Sequence, residues 1–61
     1  MGLTSDDCRF ILESLDYTRQ AFEAYRYPSE EIKAGRLQDV RDVILKMRAL
    51  RDELKQQERG R

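Results

Sequence analysis

The chain has 61 residues, twelve Lys plus Arg against twelve Asp plus Glu, no His, one Cys and one Pro. That is one small domain, and a chain of this size buries only about 60% of its unfolded surface. One Cys makes no internal disulfide and the usual zinc ligand sets lack their His, so self-association or a partner is the support left for so small a core.

A net charge of zero gives no overall pull towards nucleic acid or an anionic membrane. The halves differ. Residues 1–31 hold three basic and seven acidic side chains, a net of −4, and residues 32–61 hold nine basic and five acidic, a net of +4. Opposite signs favour the halves lying together, within one chain or between two. The longest run of large apolar residues, Val43-Ile44-Leu45, is far below the roughly 20 a bilayer span needs, so no membrane is expected. The polar, acidic start is unlike a secretory signal or transit peptide. A lone Cys fits a reducing compartment. The expectation is a cytoplasmic, soluble protein.

Leu3-Thr4-Ser5-Asp6-Asp7-Cys8 reads as a helix start. The Thr4 hydroxyl is placed to accept the Asp7 amide, Leu3 to pack on Cys8, and Asp6 and Asp7 to complement the helix dipole. A first helix is expected over about 4–26. Cys8, Ile11, Leu15, Thr18, Phe22 and Tyr25 recur three and four apart, with Leu12 alongside, as a core-facing stripe. Phe10, Tyr17, Ala21 and Ala24 fall on a second face, leaving a narrow polar strip of Arg9, Glu13, Asp16, Gln20 and Glu23. A helix apolar on two sides needs more than one neighbour.

Tyr27-Pro28-Ser29 ends it, because proline turns the preceding residue away from helix and Ser29 can cap the next one above Glu30 and Glu31. So short a connection predicts an antiparallel return. The second helix is expected over about 29–58, with Ile32, Leu37, Val40, Val43, Ile44, Met47, Leu50 and Leu54 as its stripe. Either it continues through Gly35, or a short turn at 29–34 ends there and a long helix starts near 36. The unbroken three-four spacing favours continuity, at a cost of about 1 kcal/mol for the glycine. Asp42 and Lys46 are spaced for an i,i+4 ion pair, and the tail from Lys55 to Arg61, without an apolar residue, should fray.

No catalytic constellation emerges. Without His there is no Ser-His or Cys-His pair, and Cys8 opens the core stripe, where a free thiol behaves as a small hydrophobe. Asp6-Asp7 and Glu30-Glu31 follow cap residues and answer the helix dipole, and neighbours about 100° apart form a poor metal or acid/base pair. No enzyme activity, cofactor, metal or small-molecule substrate is expected.

The fold expected is all-α: an antiparallel helical hairpin of residues 1–61 that dimerises into a four-helix bundle. The function expected is a small non-enzymatic protein-interaction module, a regulator, inhibitor or assembly subunit. It would act through an apolar helical face built on Phe10, Tyr17 and Ala24, with Leu45 contributing from the second helix. Its partners would be another copy, a second protein, or both. The alternative is a dimeric RNA- or DNA-binding regulator using Arg41, Arg48 and Lys55, which recur every seven residues along one flank of the second helix and could track phosphates.

Overall fold

The computed structural model describes residues 2–60; Met1 and Arg61, the two ends of the expected domain, lie outside them. Two helices, α1 (Ser5–Ala24) and α2 (Glu30–Arg59), pack along each other as an antiparallel hairpin, with no strand among the described residues. The rod measures 50 × 16 × 15 Å.

Local chemistry sets the helix starts. The Asp7 amide donates to Thr4 Oγ1 (3.1 Å) and the Thr4 amide donates to Asp7 Oδ2 (2.9 Å), a reciprocal capping box with Asp in the place of the usual Glu. Ser29 caps α2 by accepting the Ile32 amide at 3.2 Å, with Glu30 and Glu31 in the first turn. Leu3, just before the cap, is 46% exposed, and Cys8 is fully buried.

α1 ends earlier than its apolar spacing suggests. Tyr25 has extended backbone (φ −72°, ψ 143°), its amide still bonding the Ala21 carbonyl. It therefore leaves the core stripe and is 65% exposed, stacking edge-on against Tyr27 at 4.9 Å between ring centres. The turn that Pro28 imposes begins to bend the chain three residues before the proline.

α2 runs unbroken through Gly35. A Cβ there would meet no atom within 4 Å, and the backbone is helical. Gly35→Ala should therefore stabilise the chain by about 0.5–1 kcal/mol, read as a higher melting temperature with unchanged helicity. Beside it, the Arg36 guanidinium lies over the Phe22 ring at 4.9 Å and closes the bend end of the hairpin.

The helices meet along Cys8, Ile11, Leu12, Leu15, Thr18 and Phe22 of α1 and Leu37, Val40, Ile44, Met47, Leu50 and Leu54 of α2, all buried or half-buried. Only Cys8 (0% exposed) and Val40 (6%) among the apolar residues are buried outright. Two stripe residues, Ile32 (49% exposed) and Val43 (43%), point past α1 into solvent because one neighbouring helix covers only one flank of α2. Asp42 does not pair with Lys46; it accepts a hydrogen bond from Gln38 Nε2 at 2.8 Å on the preceding turn.

The open end of the hairpin is tied rather than frayed. α2 stays helical to Arg59, and Glu58 receives two hydrogen bonds from Ser5: the amide to Oε2 (3.0 Å) and the hydroxyl to Oε1 (2.7 Å). A carboxylate thus sits on the first free amide of α1, favoured by that donor and by the helix dipole. These bonds, with Lys55 nearby, hold the Glu58 carboxyl below its ordinary pKa against the opposing effect of desolvation. Because the folded value is the lower one, the clamp contributes fully above the unfolded glutamate range, about 4.3, and is lost as pH falls through the folded value. Glu58→Gln should flatten that acid-side slope and raise amide exchange over the last turns of α2, with the middle of the helix unchanged.

Candidate functional site

One open groove runs along a single side of the hairpin, between the two helices. Its floor is Leu12 of α1 with Ile44 of α2, and the exposed Tyr17 and Leu45 stand at its edges. The rest of the lining is charged or polar. Arg9, Glu13, Asp16, Arg19 and Gln20 form the α1 wall, so the polar strip of the first helix borders a cleft and does not simply face solvent. Arg41, Arg48 and Arg51 form the α2 wall.

These charges are unevenly compensated. Arg19 bridges Asp16 (2.9 Å) and Glu23 (3.0 Å), and Arg51 meets Asp52 (3.1 Å). The Arg19 hydrogen bond draws the Asp16 carboxyl below its ordinary range, and Asp16 in turn pushes the guanidinium up. Among the described residues Arg9, Arg41 and Arg48 form no ion pair within 4.0 Å, and Glu13 has none either. Three unpaired guanidiniums against one unpaired carboxylate leave the groove with excess positive charge.

The structure divides the residues that the sequence singled out for contact. Tyr17 (73% exposed) and Leu45 (61%) border the groove, and Arg41 and Arg48 border it with them. Lys55, the third member of the basic series, lies outside the groove lining, beside the Glu58 clamp. Phe10 (70% exposed) also lies outside it. Phe10 is two residues from Leu12, and Val43 two from Leu45, so each points about 160° round its helix from the groove residue. Ile32, Val43 and half-buried Leu50 share that opposite side of α2. Ala24 ends α1 beside a shallow hollow at the bend, shared with Tyr25, Tyr27 and Lys33. The hairpin thus carries a groove walled by arginines on one side and, on the other, a flank where Ile32, Val43 and Leu50 lie among Arg36, Asp39 and Lys46.

Sequence reasoning did not single out Arg9 as a contact residue. Its signal was available in the seven-residue relation to Asp16 on the polar strip, but its place opposite the α2 arginines needs the register of both helices. Cys8 is fully buried, and no cluster of three or more metal-ligating side chains occurs among the described residues. No described helix is long and apolar enough to cross a membrane. The chain matches no protein-family model, no curated protein and no solved structure.

Proposed function

We propose that this chain is a small non-enzymatic protein-interaction module, and that two copies pair into a four-helix bundle. The observation that carries this reading is the mismatch between core and surface. Two apolar residues are buried, while Phe10, Tyr17, Leu45, Ile32 and Val43 stay between 43% and 73% exposed. Monomeric domains rarely leave that much large apolar surface uncovered.

The flank opposite the groove is the bundle interface in this reading. It carries Phe10, Ile32, Val43 and Leu50. Light scattering coupled to gel filtration tests it. The expected mass is twice 7.3 kDa, and a chain that remains at 7.3 kDa across micromolar concentrations contradicts the bundle.

A second reading, a dimeric nucleic-acid-binding regulator, is favoured by the unpaired Arg41 and Arg48. Glu13 and Asp16 in the same groove oppose it, since they face any phosphate those arginines would hold. RNA and DNA titrations at two salt concentrations decide it. Binding that falls steeply with salt and is lost in Arg41→Glu with Arg48→Glu would support this reading over the first.

A further inference from the structure

We propose that the groove is the docking site for an amphipathic α-helix of a protein partner, apolar on one face and acidic along one edge. This deepens the reading of the chain as a protein-interaction module but does not depend on two copies pairing, because the groove lies on the side of the hairpin opposite Ile32, Val43 and Leu50.

Shape and floor point to a helix. Two helices lying side by side leave a furrow that a third fills at the usual spacing of about 8–10 Å, giving ridges a groove to enter. The floor of Leu12 and Ile44 offers apolar contact, and Leu45 and Tyr17 add exposed apolar surface at the rims, the tyrosine with a hydroxyl that suits an interface edge. From Arg41 to Arg51 the α2 wall is about 15 Å long, room for roughly ten residues of a docked helix.

Charge selects the occupant. Arg41 and Arg48 are seven residues apart, two turns along the same wall, and neither has an ion-pair partner among the described residues. Carboxylates spaced two turns apart on the visiting helix would meet them with the same period. Across the groove Arg9 and Arg19 balance Glu13 and Asp16, so the α1 wall carries no net charge and an acidic edge is drawn to the α2 wall. The groove therefore reads both the charge and the orientation of its occupant. A nucleic acid fits less well, because phosphates held by the α2 arginines would lie across the groove from Glu13 and Asp16. A second copy fits less well, because groove against groove would oppose two arginine-rich surfaces.

The test uses the full chain and three fluorescein-labelled probes. One is an amphipathic peptide of about fifteen residues with leucines on one face, glutamates on one edge and glutamines on the other. The second is its twin with lysines for the glutamates, and the third is a single-stranded RNA of similar length. Anisotropy should show saturable binding of the acidic peptide only, weakened about tenfold or more by Arg41→Glu with Arg48→Glu. Both arginines are exposed, and unchanged circular dichroism confirms that the double variant folds. Phe10→Asp, which opens the paired hairpins, should leave the peptide affinity within about twofold, so failure of the bundle and failure of the groove are read separately. Four results would overturn the proposal: no saturation by the acidic peptide, equal binding of the lysine twin, indifference to the arginine changes, or preferential binding of the RNA. A halved mass for the double arginine variant would overturn it too, by assigning the groove to a second copy.

Discussion

The Val40→Asp chain is expected to be unfolded at room temperature. Val40 is 6% exposed on the bend side of the helix contact and is one of two apolar residues buried outright. A carboxyl placed there has no partner, so it must be desolvated unpaired or stay protonated, at a cost of about 3 kcal/mol or more on top of the lost apolar contact. Domains have about 0.05–0.15 kcal/mol of stability per residue, which puts 61 residues near 3–9 kcal/mol in all. One such change therefore removes most of the margin. Ala49→Asp, the same carboxyl on an exposed position of the same helix, should shift the melting temperature little. Far-ultraviolet circular dichroism distinguishes the two at once: helical signal for Ala49→Asp, a collapsed signal for Val40→Asp. Comparable helicity in both would mean that burial of Val40 does not hold the two helices together.

Phe10→Asp should act on association and not on the helix. The ring is 70% exposed within one hairpin, so its removal takes little from the isolated chain. In the paired bundle it is an aromatic anchor, and putting a carboxylate in its place should weaken self-association by about a hundredfold, or about 2.7 kcal/mol. Sedimentation equilibrium measures this directly. Arg41→Glu with Arg48→Glu, on the opposite side, should leave the association constant where it was. Equal effects of both changes would show that one surface, not two, carries the contacts of this chain.

The features legible in the sequence are those decided within a few residues. Thr4 and Ser29 announce the helix starts because a cap joins positions three apart, and Tyr27-Pro28-Ser29 marks the bend because proline acts on its immediate neighbours. The stripe from Cys8 to Phe22 needs only the helical period. The losses share a cause. The Ser5–Glu58 clamp joins residues 53 positions apart, so a tail without apolar residues looked free to fray when its end is in fact held. Tyr25 kept the spacing of a core residue after the backbone had left the helix, and periodicity carries no information about where the helix stops. Asp42 had two partners at helical spacing, and Gln38 rather than Lys46 took it.

The candidate site followed the same rule. Exposed Phe10, Tyr17 and Leu45 could be read from a wheel of each helix alone. Phe10 and Tyr17 share one face of α1; that Tyr17 reaches the rim of the groove with Arg41 and Arg48 while Phe10 lies beyond it depends on how the two wheels mesh, and only the packed hairpin fixes that. Residues assigned to two competing functions thereby became neighbours on one surface.

Thermal unfolding of the unmodified chain as a function of its own concentration is the most direct measurement of whether association completes this fold. When folding and pairing are linked, mass action raises the melting temperature with concentration. Over about a hundredfold range of concentration the midpoint should climb by several degrees, and Phe10→Asp should abolish the climb. A midpoint that stays fixed over the same range would mean that a single hairpin is stable with its apolar flank in water, and that the surface opposite the groove needs no second copy.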